Sequence, residues 1–558
     1  MLLARILLVA AIATMPACAA VPGVHGQQIA QTDFAPEADA IMEAAYRAED
    51  PGAAAIVTRG GKVIWSGSRG LADVERGRAI TPTTAFRVGS ITKQFTAAVI
   101  LQLIAEGKLS LDDPLARFFP DWPQPGEHAT IRQLLNHTSG IREFTAVPGY
   151  MGSEPTMRPV ATGDLLAVIR GGPSESDPGR VFRYNNSGYV VLGAIIEQLT
   201  GMPWHEAVKE RISQPLGLKS LAYGPAAEGN QALAMPWTGK DGQFVLSRGV
   251  HLSVGHAAGS LVSNVGDLAR WTQALHHGEV VRPDLYALMT TSAPLADGTT
   301  APYGFGLHLI EFRGRPAYRH GGAARGVDTG SIYIPSEDLF VAVFANSDDL
   351  PVDSSVVVRR LAALALGEAY PMLARVDVPL AAVEPLFGTY AAEAGQDFHF
   401  SGRDGKLYFG RGADDDQIFA AGNDRFYFGP DELTWLSFDR RPDGVPVLSV
   451  HREDGKVVRG TRTGTAPSPV IVPVAMLRSY VGVYATEGPT LTIQLDSNGR
   501  LAMAAGQEEP KPLRALSETE FQLEGRPVRV VFQPGSGRTD RLTLQAGRRE
   551  FHGTRQEQ

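Results

Sequence analysis

Ser90-Ile91-Thr92-Lys93 sets a hydroxyl three residues ahead of an amine. If this segment opens a helix, the two side chains share one face at i, i+3 spacing. The helix N-terminus would then favour negative charge developing on the serine oxygen. A serine hydroxyl attacks little at its own pKa, and a neighbouring amine of lowered pKa can activate it. Of nine lysines, only Lys93 has a serine three positions before it. A second cluster is Arg183-Tyr184-Asn185-Asn186 in a turn-rich loop, and of fifteen tyrosines only Tyr184 has asparagine two residues later. A phenol beside a cationic lysine can act as proton acceptor, and an amide can hold a substrate carbonyl. The third cluster is His320-Gly321-Gly322-Ala323, where a strand pattern ends in glycines. Glycines let a substrate backbone approach a strand edge, whose free N–H groups can stabilise an oxyanion. Taken singly, each cluster also has a plain structural reading: a capping serine with a solvated lysine, a loop tyrosine on a helix, and a turn histidine.

The elements that must bring these clusters together are legible in the pattern. Pro36 to Asp50 predicts a helix from apolar residues at helical spacing, and Ala53–Val57 with Lys62–Trp65 predicts a hairpin across Gly60-Gly61. Gln94 to Ala105, Leu192 to Thr200 and Val265 to His276 predict helices. Tyr303–Phe312, Ala317–His320, Gly330–Ile334 and Leu339–Phe344 predict closely spaced strands. Connections that short exclude crossover helices, so the sheet is expected to be antiparallel. Strands at both ends with helices between predict an α+β domain whose sheet joins the two ends of the segment.

After Pro371 the helical period disappears, and short β-branched or aromatic runs alternate with Gly, Asp and Asn. There is a repeat: Phe387-Gly388-Thr389-Tyr390 matches Val481-Gly482-Val483-Tyr484, and Gly405-Lys406-Leu407 matches Gly499-Arg500-Leu501, both at a shift of 94. Gly460-Thr461-Arg462 matches Gly553-Thr554-Arg555 at 93. Two homologous small antiparallel barrels are expected, over 386–465 and 476–558, with Ala466–Val474 as linker. Either the barrels pack inertly, or a loop from one closes over the mouth of the site.

With 558 residues and 59.7 kDa the chain exceeds one core, and about 100–200 residues per domain gives roughly three. A hydrophobic share of 44% with 20% charged residues excludes disordered, collagen-like and polytopic membrane classes. A net charge of −8 argues against nucleic acid as partner, because counterion release needs a basic surface. The single cysteine, Cys18, excludes a disulfide framework and a cysteine zinc site. It sits in Met1–Ala20, which has one early arginine, an apolar Ile6–Ala13 and small residues to Ala20, the pattern of a secretory signal. Export to the periplasm or medium is therefore expected, with lipid anchoring at Cys18 the lesser reading. No run is long enough for an integral membrane span. His251 with His256, and His276 with His277, lack a His-Glu-x-x-His context, so no metal or other cofactor is expected.

The three clusters in this order resemble the penicillin-binding protein and class C β-lactamase superfamily of serine hydrolases. Thr130–Gly140, Gln214-Pro215-Leu216-Gly217-Leu218 and Ala258–Ser263 resemble further signatures of that superfamily, so the likeness covers a domain expected at 35–370. The resemblance implies that Ser90 is acylated, that Lys93 and Tyr184 are its proton-transfer pair, and that Asn186 orients the substrate amide. It places the oxyanion between the N–H groups of Ser90 and Ala323, beside the substrate-binding strand His320-Gly321-Gly322-Ala323. His320 departs from the lysine of Lys-Thr-Gly found in β-lactamases, and histidine is largely neutral above its usual pKa near 6.5. Carboxylate-bearing substrates are thereby less favoured. The His-x-Gly form, the two barrels and Ala301–Leu307 look most like the D-stereospecific aminopeptidases.

The leading expectation is an exported serine hydrolase acting on D-amino-acid peptides or other amides and esters. The alternatives are a β-lactamase or D-Ala-D-Ala carboxypeptidase, a carboxylesterase, and a cell-wall sensor that acylates without turnover. The partner is a small-molecule or peptide substrate, and the sequence leaves the oligomeric state open.

Overall fold

The computed structural model describes residues 31–556 apart from short interruptions at 241–242, 393–394, 396, 412–413, 441–443, 466–469, 471, 487, 498, 507, 524–527, 534–538 and 547–548. The expected signal segment, Cys18 and most of the expected linker lie outside the described residues.

Six antiparallel strands form the central sheet: β1 (Ala53–Arg59), β2 (Lys62–Arg69), β3 (His308–Phe312), β4 (Arg315–Ala324), β5 (Val327–Ile334) and β6 (Leu339–Ala345). Their order is β3-β4-β5-β6-β1-β2, so β6 pairs with β1 and joins the two ends of the segment as expected. Side chains alternate between two buried faces. Ala54, Ile56, Ala342 and Phe344 enter one core cluster, whereas Ala55, Val57, Val341 and Val343 enter another. The first cluster is shared with helices α2 (Thr92–Ala105), α3 (Asn186–Thr200), α4 (His256–Gly259) and α5 (Val265–His276). The second is covered by α1 (Gln31–Ala45) and α6 (Ser354–Ala365). The result is a three-layer α+β domain whose chemistry-bearing helices all lie on one side of the sheet.

Two boundaries depart from expectation. Helix α1 starts before Pro36 and stops at Ala45 rather than Asp50. Pro36 is the sixth residue of this helix, where it removes one backbone hydrogen bond and crowds the carbonyl four residues earlier, yet the helix runs through it. The expected strand from Tyr303 shrinks to His308–Phe312 because Gly304 N–H donates to the Leu307 carbonyl, and this turn interrupts it.

Two closed eight-stranded antiparallel barrels follow, from Gly388–Ala392 to Val457–Gly464 and from Gly482–Thr486 to Arg549–Arg555. Tyr390 and Tyr484, the matched tyrosines, are both fully buried and donate their hydroxyls to the carbonyls of Leu386 and Tyr480 respectively. The first barrel leans on α6 and on the β3–β4 turn. Asp353 N–H donates to Asp431 Oδ1 (2.7 Å), the Tyr370 hydroxyl donates to the Glu453 carbonyl (2.6 Å), and Gly455 packs on Arg313, whose Nη1 would stand 2.7 Å from a Cβ at that glycine. These contacts lie on the α6 side, behind the sheet relative to α2. The second barrel contacts the first through an Arg514–Asp415 ion pair of 2.9 Å.

Candidate active site

Ser90 sits in a single 3-10 turn, Gly89–Ile91, that runs straight into α2. Lys93 therefore lies one turn on, and the structure brings both together with Tyr184, Asn186 and the end of β4. The Lys93 side chain is fully buried. Its Nζ lies 3.0 Å from Ser90 Oγ, 2.9 Å from Asn186 Oδ1 and 2.9 Å from the Ala258 carbonyl. Burial lowers the Lys93 pKa to about 7, against the opposing pull of the Glu143 carboxylate. A neutral amine has two hydrogens and one lone pair. Asn186 Oδ1 and the Ala258 carbonyl can only accept, so they take both hydrogens, and the lone pair is left facing the Ser90 hydroxyl.

Tyr184 is half-buried, and its ring centroid lies 4.8 Å from Lys93 Nζ. Burial pushes its pKa well up, and its hydrogen bond with Ser90 offsets only part of that. Of the pair, the amine is thus the group that gives up its proton more readily, and the phenol the one that holds it.

Asn186 is the first residue of α3, whose N-cap is Asn185; the Asn185 side chain accepts from Gly188 N–H. Glu143, which sequence reasoning missed, fixes this corner. Its carboxylate accepts from the Asn186 and Ser187 backbone N–H groups and from Asn186 Nδ2 at 3.3 Å. The amide is thereby oriented with Nδ2 toward Glu143 and Oδ1 toward Lys93.

The fourth wall is β4. Strand β3 pairs only with Arg315–Arg319, so residues 320–324 bond to β5 on one side and turn a free edge toward Val88–Ser90 on the other. The approach is close: a Cβ on Gly322 would stand 2.2 Å from the Val88 carbonyl oxygen, so only glycine fits. Ala323 N lies 3.5 Å from where a Cβ on Gly89 would be, so the end of β4 closely approaches the backbone just before Ser90. Gly321 continues the same strand, opposite Gly330.

His320 is buried, and both of its ring nitrogens are committed. Nδ1–H donates to the Gly321 carbonyl (2.7 Å), so Nε2 is the acceptor and takes the Tyr303 hydroxyl (2.8 Å). Burial, His308 and Lys93 hold its pKa well below the usual range, so it stays neutral. Burial also lowers His308, to about 4, and pushes His137 well down. His137 accepts Asn185 N–H at Nδ1 and packs 4.4 Å from the Tyr184 ring and 4.5 Å from that of Tyr303. Neutral imidazoles and phenols therefore surround the amine. Among the described residues, no group of His, Cys, Asp and Glu could hold a metal ion, and no helix is long and apolar enough to cross a membrane.

The beta-lactamase family model matches residues 38–366, the whole of this domain. The chain belongs to the beta-lactamase family. Curated D-aminopeptidases are among its relatives. A D-aminopeptidase of Brucella anthropi is 32% identical over 282 residues, covering 50% of this chain and 52% of that protein. One of Brucella canis is 30% identical over 331 residues, 59% of this chain and 62% of that one. The chain thus spans between half and two thirds of the length of these relatives. Among solved structures, the octameric penicillin-binding protein homologue from Pyrococcus abyssi aligns with a TM-score of 0.53 at 25% identity, covering 77% of this chain and 99% of its own. The β-lactamase-like fold expected from the motifs is therefore the fold of this family.

Within that frame, sequence reasoning missed Glu143, Tyr303, His137 and the Ala258 carbonyl. Glu143 carried one faint signal, an acidic residue just after the Asn136–Gly140 turn. Ala258, like His137 and Tyr303, lay within a segment that carried the resemblance, but nothing in its side chain marked its carbonyl as a partner of Lys93.

Proposed function

We propose that the protein is an exported serine hydrolase that works through an acyl-Ser90 intermediate, with D-aminoacyl amides and D-amino-acid peptides as its substrates. The observation that carries this reading is the Lys93 amine, buried, near neutrality in pKa, and with its lone pair toward Ser90. In the proposed reaction Ser90 Oγ attacks the substrate carbonyl carbon while its proton passes to Lys93 Nζ. The oxyanion forms against the N–H groups of Ser90 and Ala323. Such a donor is typically worth roughly 10²–10³ in kcat. The proton then reaches the leaving nitrogen by way of Lys93 and the Tyr184 hydroxyl, the C–N bond breaks, and the amine departs. Water attacks the ester, gives its proton back along the same path, and frees Ser90 and the acid. Asn186 Nδ2 and the free edge of β4 hold the substrate backbone.

The preference for D-amino-acid substrates draws its support from the named activity of the curated relatives, and export from the pattern of Met1–Ala20. A β-lactamase or carboxypeptidase is the weaker reading. The position that would meet a substrate carboxylate is held by a neutral His320 whose nitrogens are already bonded.

A panel tests this: D- and L-alanyl 4-nitroanilide, a D-Ala-D-Ala peptide, nitrocefin and 4-nitrophenyl acetate. The D-alanyl anilide is expected to give the highest kcat/KM of the amides. Fastest turnover of nitrocefin or of the L-anilide overturns the assignment, and a stable adduct without turnover points to a sensor. A second expectation concerns pH. Only the neutral amine can take the proton, so kcat/KM should drop about tenfold per unit below a pH of about 7 and level off above it. A limb near the usual lysine range contradicts the role given to Lys93.

A further inference from the structure

Of the three groups that meet the Lys93 amine, one is a backbone carbonyl, Ala258, and something must hold it there. It belongs to α4, a helix of one turn that also presents the Ala257 carbonyl to the Thr96 hydroxyl at 2.7 Å. The first residue of this turn, His256, has φ 41° and ψ −141°. That region is sparsely populated for any residue with a Cβ and persists only when the surroundings over-determine it.

The surroundings here do so through the side chain. The His256 ring is 3% exposed. Its Nε2 lies 3.1 Å from Thr162 Oγ1 and 3.6 Å from Glu197 Oε1, and its ring packs 5.4 Å from that of Trp204. Helix α3 makes room for it: a Cβ on Gly193 would stand 2.7 Å from His256 Cε1 and 2.6 Å from Ala257 Cβ. Burial works to raise the Glu197 carboxyl, but its interactions with His256, the Trp204 N–H and the Thr162 hydroxyl together outweigh it and leave the acid low. The next titratable ring, His205, is turned away and stacks on Tyr223 at 4.0 Å.

One helix therefore governs two of the three contacts of Lys93. Asn186, in the first turn of α3, accepts from the amine directly. Glu197, three turns further along, grips the histidine that starts α4. We propose that His256 is a positioning residue for Lys93: clamped by Glu197 and Thr162, its ring holds the strained start of α4 and so aims the Ala258 carbonyl at the amine. This rests on the reading of Lys93 as the proton acceptor of Ser90. The other groups facing the amine, Glu143, Tyr184, Tyr189, His137, His308 and His320, are not among the side chains packed on His256, which are Thr162, Glu197 and Trp204.

The test follows acylation of the full-length protein by 4-nitrophenyl acetate against pH, with melting temperature measured in parallel. His256→Ala is expected to slow acylation roughly 10–100-fold, the scale of a misplaced catalytic group. The ammonium form would also lose an acceptor, so the acid limb should move down by about half a pH unit or more. His256→Gln, whose Nε2 can take the place of the imidazole Nε2, is expected to restore most of the rate and the position of the limb. An unmoved limb in a folded His256→Ala protein, or equal losses in both variants that follow melting temperature alone, overturns the proposal. If His256→Ala does not fold, Glu197→Gln reads the same limb and should move it in the same direction; an unmoved limb there overturns the proposal equally. Ser90→Ala separates the two levels of argument. If that variant is still acylated, the reading of the site itself has failed; if it is inert while the His256 variants behave as wild type, only the role of His256 has.

Discussion

Ser90→Ala is expected to abolish turnover, by roughly 10⁵-fold or more, while the protein keeps its fold. Removing the nucleophile of a serine hydrolase costs on the order of 10⁶ in kcat elsewhere, because no other group can form the covalent intermediate. Here the loss should be equally complete. No cysteine stands among the described residues, and the neighbouring Thr92 hydroxyl is spent on Leu261 N–H at 3.1 Å. The fold should survive because Ser90 is half-buried at the lip of the cleft, and alanine removes one oxygen without opening a cavity. Circular dichroism and melting temperature check the fold, and release of nitroaniline checks the rate. Retained hydrolysis by a folded variant would refute the account.

Lys93→Met should cost roughly 10²–10⁴ in kcat/KM, the usual scale of positioned acid–base help. Methionine is chosen over alanine because the side chain is fully buried and a truncation would leave a void. The opposite sign is expected for stability. A buried amine is expensive to desolvate, as its lowered pKa records, so an apolar side chain of similar volume should leave melting temperature unchanged or raised. Loss of activity with gain of stability is the signature of a group kept for function. A fall in both would mean that Lys93 mainly holds the architecture together.

The parts of this site that sequence made legible are those written in short local patterns. Ser90 and Lys93 are one helical turn apart, Tyr184 and Asn186 straddle a helix start, and His320–Ala323 end a strand. Each pair needs only local geometry to be recognised, and their order along the chain supplied the resemblance. What stayed hidden arrives from far along the chain. Glu143 reaches Asn186 across 43 residues, and Ala258 reaches Lys93 across 165 through a carbonyl that no side chain announces. The ionisation states were hidden for the same reason. Tyr184 looked like a proton acceptor because the sequence cannot say how deeply it and Lys93 are enclosed. Burial lowers the amine and raises the phenol, which favours the amine as the acceptor in the proposed reaction. At the level of fold, alternating patterns gave the sheet and the barrels, whereas the strand expected from Tyr303 failed where the Gly304–Leu307 turn interrupts it. That same interruption frees Tyr303 to bond His320 and so to fix its neutral tautomer.

The central claim is a covalent acyl-Ser90 intermediate, and intact-protein mass spectrometry of enzyme quenched during turnover of 4-nitrophenyl acetate measures it most directly. The account predicts a gain of one acetyl group, mapped by digestion to the peptide carrying Ser90 and absent from Ser90→Ala. Unmodified enzyme at steady turnover, or an adduct on any other residue, would contradict it.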